Sequence, residues 1–313
     1  MTSSSGSTTI PPSGEQFEIA FGKQRAVVVE VGGGLRSYRA GERDVLDAYG
    51  VDEMCTSGRG ELLMPWPNRI EDGSYEFGGR SHQLPIDEPA LRNAIHGLVR
   101  WSPWTVATRD ANRISLAYLL HPQPGYPFTL ALRVDYILDA DGLSVRTTAT
   151  NVGVDACPFG CGVHPYLTCG TDTVDELTLK VPARTILESD ERSLPAGELA
   201  VDGTDYDFRD ARAIGATRLD TAFTALQPDD DGVTRVELHD PASGNGLTLW
   251  VDGSYRYLMI FTGDPLPDVN RRSIAIEPMT CPPNAFRSGT DVIVLEPGAS
   301  WTGAWGIRPT NAA

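Results

Sequence analysis

What most constrains the fold of this chain is a succession of short runs of β-forming residues, cut at close intervals by turn residues, with no stretch that sustains a helical period. Residues 17–21 and 25–31 start the series, and 35–40 follow across Gly32-Gly33-Gly34. Residues 74–77 and 82–84 flank Gly78-Gly79, while 104–109 and 113–120 are split by Asp110-Ala111-Asn112. Residues 128–138 and 143–150 flank Asp139-Ala140-Asp141-Gly142 and alternate apolar with polar side chains, as half-buried antiparallel strands do. Runs at 176–181, 235–238, 247–251, 257–262, 273–276, 292–295 and 301–307 continue the pattern. With 32 Gly and 23 Pro among 313 residues to make the turns, the expectation is an all-β fold of large packed antiparallel sheets.

No low-complexity linker or fixed-period repeat interrupts the series, so residues 15–313 read as one continuous domain. Residues 1–14, rich in Ser, Thr, Gly and Pro, read as a flexible tail, and 202–218 as a long surface connection. A formal charge of −16, from 26 Lys+Arg against 42 Asp+Glu, argues against nucleic acid and anionic membrane surfaces as partners. The odd count of five cysteines, and a first segment lacking a basic and then an apolar region, point to a cytoplasmic protein with free thiols. Cys157 and Cys161, with Cys169 nearby, have a spacing seen in zinc sites, but no second pair completes one, so buried thiols are expected. Length and composition leave monomer and homodimer open.

Candidate chemistry sits in short segments beside residues that restrict the backbone. Pro65-Trp66-Pro67 stiffens the approach to Asn68-Arg69, and the arginine fork suits vicinal hydroxyls or a carboxylate. His96 precedes Gly97, which permits close backbone approach. His164, framed by Gly162, Pro165 and Tyr166, is expected at a strand end, as is Glu277, which follows an apolar run and precedes Pro278. Burial there would raise the proton affinity of the glutamate towards that of a histidine, giving an acid and a base that can exchange roles. Asp220, beside Phe223, offers a further carboxylate for sugar hydroxyls near an aromatic face.

Taken in order, Asn68-Arg69-Ile70, Asn93-Ala94-Ile95-His96-Gly97, His164-Pro165-Tyr166, Leu219-Asp220-Thr221-Ala222-Phe223 and Glu277 with Pro283-Asn284 resemble the motifs of the aldose 1-epimerase (galactose mutarotase) family, over about residues 17–308. The resemblance implies a galactose mutarotase-like β-supersandwich with an open sugar cleft, needing neither metal nor nucleotide cofactor and acting on a small sugar. It implies Glu277 as catalytic base and His164 as catalytic acid, with Arg69, His96, Asp220 and Asn68 holding the substrate. Members acting on free galactose carry a Gly-Arg-Tyr-like lead into Asn-Arg and a second glycine after His-Gly, where Pro65-Trp66-Pro67 and Leu98 stand here. They also follow the glutamate with a Thr-Gln-like pair, where this chain has Pro278-Met279. A phosphorylated or sulfonated hexose is the alternative substrate, with Arg92, Arg100, Arg271 and Arg272 as the nearby cations, and a non-catalytic sugar-binding sandwich is the alternative outside enzymes.

Overall fold

Alternation governs the architecture. Leu130–Asp139 buries every second residue along its whole length and pairs in continuous antiparallel register with Gly142–Asn151, from Leu130 opposite Asn151 to Asp139 opposite Gly142. A computed structural model, which describes residues 10–310 except Asp268, places this hairpin in a nine-stranded antiparallel sheet. Ser300–Thr310 lies beside it and bridges to Gly246–Val251, so the last strand joins early and late halves of the chain.

An eight-stranded sheet carries the strands Pro195–Ala200, Ala183–Ser189, Asp220–Leu226, Tyr257–Phe261, Ile274–Met279, Gly162–Val163 and Leu62–Leu63 in spatial order, with Tyr166–Leu167 also on Ile274–Met279. A separate four-stranded sheet is built from Gln16–Phe21, Gln24–Val29, Leu35–Ala40 and Arg43–Asp44. Leu130, Val134, Leu249 and Ile307 of the nine-stranded sheet share one contiguous core with Ile186, Phe223, Leu258 and Ile276 of the eight-stranded sheet. That shared burial is the main stabilising term for a chain with so little helix: among the described residues the one α-helix is the single turn Ala285–Ser288.

Several details differ from the sequence reading. Residues 1–9 of the expected tail lie outside the described residues, whereas Ser13 is buried and its carbonyl accepts from the Val31 N–H at 3.0 Å. The connection at 202–218 carries a short strand, Arg212–Ala213, that adds an edge to Thr178–Lys180. Glu277 does not end its strand: Ile274–Met279 runs on through Pro278, buried at every position. Cys157, Cys161, Cys169 and Cys281 are buried free thiols, and Cys55 is partly exposed.

Candidate active site

The eight-stranded sheet supplies the floor of the site through its register. Asp220 pairs with Phe261 and Ala222 with Met259, while Met259 pairs with Glu277 and Phe261 with Ala275. Side chains two apart on a strand share a face, so Asp220, Met259, Phe261 and Glu277 all project from one side of the sheet. On the far edge of Ile274–Met279 the neighbouring strand is broken in two: Gly162 pairs with Met279, and Tyr166 with Ala275. The residue between them, His164, is thereby brought opposite Glu277. Its Nε2 lies 3.3 Å from Glu277 Oε1, although the two residues are more than a hundred positions apart in sequence.

Loops complete the walls. Arg69 and Ile95 pair in a two-stranded ladder, and the His96 N–H donates to the Asn68 carbonyl at 2.9 Å, which turns the histidine into the cleft. His96 and Gly97 both adopt left-handed backbone, at φ 62° and 74°. A Cβ on Gly97 would stand 2.0 Å from the Met64 carbonyl oxygen, so the close approach expected of this glycine is to the protein's own main chain. Asn68, Arg69, His96, His164, Asp220 and Glu277 all line one cleft of about 450 Å³. Every site residue expected from sequence is thus brought together.

Within the cleft the imidazole of His164 is held on several sides. Tyr166 stacks on it at 5.0 Å, His96 meets it edge-on at 5.4 Å, and Gly58 lies against its Cδ2. The Arg59 guanidinium sits over the Tyr166 ring at 5.7 Å and pairs with Asp47 at 3.7 Å. Glu277 is 2% exposed, and its Oε2 is a buried acceptor to which no described residue donates. Such an acceptor is costly unless something satisfies it.

Burial dominates the proton affinities. The Glu277 carboxyl is pushed well above the usual carboxylate range by desolvation and by Asp220, with Arg69 opposing. The His164 imidazole is pushed down to about 3 by desolvation, with its own backbone opposing and Arg100, Arg59 and Arg69 adding to the fall. His96 falls well below the usual histidine range for the same reason, reinforced by His164, Arg100 and Arg69. Both members of the 164/277 pair therefore favour their neutral forms. Asp220 stays open to solvent, yet the protein around it raises its carboxyl while Arg69 opposes.

Glu88, Gly58 and Ser57 are among the cleft residues that carried no signal in the sequence. Glu88 grips Arg69 with both oxygens: Arg69 Nε donates to Oε2 at 2.9 Å and Nη2 to Oε1 at 2.9 Å. Gly58 and Ser57 close the wall beside His164. Nothing in the local pattern around Asp87-Glu88-Pro89 marks Glu88 as different from a surface acid.

Of the four arginines considered for an anionic substituent, Arg100 lines the cleft, but it pairs with Glu61 at 3.4 Å and Asp87 at 3.1 Å. Arg92 pairs with Asp72, Arg271 with Asp175 and Asp264, and Arg272 with Asp47. A cation already neutralised in this way contributes little attraction to an incoming anion.

Residues 15–308 match the family described as aldose 1-epimerase. The chain belongs to the aldose 1-epimerase family. It is 36% identical over 292 residues to the uncharacterized protein YihR of Escherichia coli K12, covering 93% of this chain and 92% of that one. A mouse galactose mutarotase is 28% identical over 161 residues, covering 47% of this chain and 44% of the mouse protein. The GalM/aldose epimerase homologue from C. elegans superposes with a TM-score of 0.85 at 19% identity, covering 96% of this chain and 99% of that one, and so shares its fold. Among the described residues no helix is long and apolar enough to cross a membrane.

Proposed function

We propose that this member of the family is an aldose 1-epimerase that interconverts the α and β anomers of a hexopyranose by acid–base opening and closing of the ring. One observation carries the reading: a histidine and a glutamate, both buried, converge to 3.3 Å at the floor of an open cleft. O1 and O5 of a pyranose are bonded to the same carbon, so the two groups that serve them have to converge in this way.

In the reaction Glu277 as carboxylate accepts the proton from O1, the C1–O5 bond breaks as the C1–O1 double bond forms, and His164 delivers a proton to O5. Rotation about C1–C2 presents the other face of the aldehyde, and the same steps run backwards to close the ring. No proton is gained or lost overall. The neutral pair, with the proton on Glu277, and the charged pair, with it on His164, hold the same number of protons, and one transfer along the 3.3 Å contact converts them. A sugar hydroxyl donating to the buried Glu277 Oε2 stabilises the carboxylate and so favours the reactive arrangement as substrate enters. Arg69, His96, Asp220 and Asn68 hold the sugar, and Phe261 and Met259 offer apolar surface to its C–H face.

General acid–base catalysis of this kind contributes roughly 10²–10⁴-fold, which suffices for a reaction that already proceeds slowly in water. The test is NMR exchange spectroscopy or polarimetry on anomerically pure glucose and galactose. The protein should accelerate equilibration far above a buffer blank. Saturable sugar binding with exchange no faster than the blank would instead identify a sugar-binding sandwich, and the enzymatic assignment would fail.

A further inference from the structure

Arg69 acts on four ionisable groups of the cleft. It opposes the proton affinity of Glu277 and Asp220, and it adds to the depression of His164 and His96. Glu88 is bound to it through two parallel hydrogen bonds, the arrangement that fixes a guanidinium in plane as well as in place. The side chains of Arg69 and Glu88 are only 14% and 20% exposed, so solvent does little to screen them from the rest of the site.

Glu88 is itself anchored. The Asn93 amide donates to its Oε2 at 3.0 Å, and its main chain bridges to that of Asn93 in both directions. Asn93 also donates to the Arg192 carbonyl at 3.1 Å, and Arg192 reaches Glu71 and Asp72 on the far side. The pair thus sits on a braced wall rather than on a freely rotating surface chain.

We propose that Glu88 is a positioning residue for the reaction: its double hydrogen bond holds the Arg69 fork against the sugar and offsets part of its positive charge. Nε and Nη2 of the fork are spent on Glu88, which leaves Nη1 as the donor assigned to substrate. Loss of the carboxylate frees the fork to swing and leaves its charge uncompensated. Every neighbouring proton then becomes easier to remove. This inference rests on the anomerase reading above.

The experiment compares wild type, Glu88→Gln and Glu88→Asp by NMR exchange on glucose and galactose across pH, together with glucose 6-phosphate at neutral pH. Wild-type turnover on the neutral sugars is the internal control: without it the function itself fails, and the variants say nothing further about that failure. Given turnover, Glu88→Gln should raise KM by roughly tenfold, the order expected for a charge-assisted contact set adrift. It should also move both limbs of the pH–rate profile to lower pH, because a negative charge has been removed beside the pair. Discrimination against glucose 6-phosphate should narrow in the same variant, since Arg69 is no longer neutralised. Glu88→Asp keeps the charge and should keep the limbs in place even where the shorter reach costs affinity. A Glu88→Gln protein with wild-type KM and unshifted limbs overturns the proposal, as does a fall in rate with neither limb moved. Should Glu88→Gln fail to fold, Glu88→Asp decides: its shorter reach should raise KM for the neutral sugars with the limbs in place, and a wild-type KM refutes the idea.

Discussion

Gly58→Ala probes how tightly the His164 imidazole is seated. Gly58 has φ +76°, where an alanine costs about 1–2 kcal/mol. An added Cβ would stand 2.8 Å from His164 Cδ2 and 3.2 Å from both Cγ and Nε2. Stacking on Tyr166 at 5.0 Å and the edge of His96 at 5.4 Å restrict retreat of the ring. Overpacking of this kind costs about 1–3 kcal/mol, so the total destabilisation should come to roughly 2–5 kcal/mol. The kinetic effect should be of similar size, since a displacement of about 1 Å costs on the order of 10²-fold in rate. Gly22→Ala is the matched control, because Gly22 also has positive φ, +55°, but nothing within 4 Å of its Cβ position. Urea unfolding and NMR anomer exchange measured on both variants separate the contributions. Gly22→Ala should lose stability alone, and Gly58→Ala should lose both. Wild-type turnover in Gly58→Ala would refute the view that the ring is clamped in a reactive position.

Glu277→Gln should keep the fold and sugar binding while lowering turnover by about 10²–10⁴-fold; near-normal rates would remove the residue from the mechanism. Arg69→Ala and Asp220→Ala should act mainly on KM, and an unchanged KM in both would argue against a sugar clamp at these positions. His164→Asn should resist acid better than the wild type. The imidazole takes up a proton near pH 6.5 when unfolded but only near about 3 when folded, so its contribution to stability is lost as pH falls through that interval. Urea midpoints of the two proteins should therefore diverge in favour of the variant as pH falls across that range, and parallel midpoints would contradict the burial of a neutral ring.

How much of this was legible in the sequence follows from what each feature depends on. Strict alternation across residues 130–139 and 143–150 reads directly as a hairpin, because one face meets the core and the other does not. Ala183–Ser189 and Pro195–Ala200 escaped notice, since the latter is an almost wholly exposed edge strand opening on a proline and has no apolar face to advertise it. The six candidate residues were legible because glycine, proline and proton-handling groups cluster around them. Glu88 was not, for its role is set by a partner nineteen residues away and by burial that no local pattern encodes. The meeting of His164 with Glu277 rests on the register of three strands, and the preference of both for neutrality on their depth, neither of which is visible along the chain.

Asp220 and Glu277 project from a hydrogen-bonded ladder, while Ser57, Gly58, Glu88, Leu91 and Leu266 reach the same hollow from connecting segments. The spacing between the carboxylates is thus a property of the pleat, and lengthening or recasting a neighbouring segment leaves it untouched. On the function proposed above, selectivity for one aldose over another is free to drift with those segments without disturbing the His164/Glu277 pair.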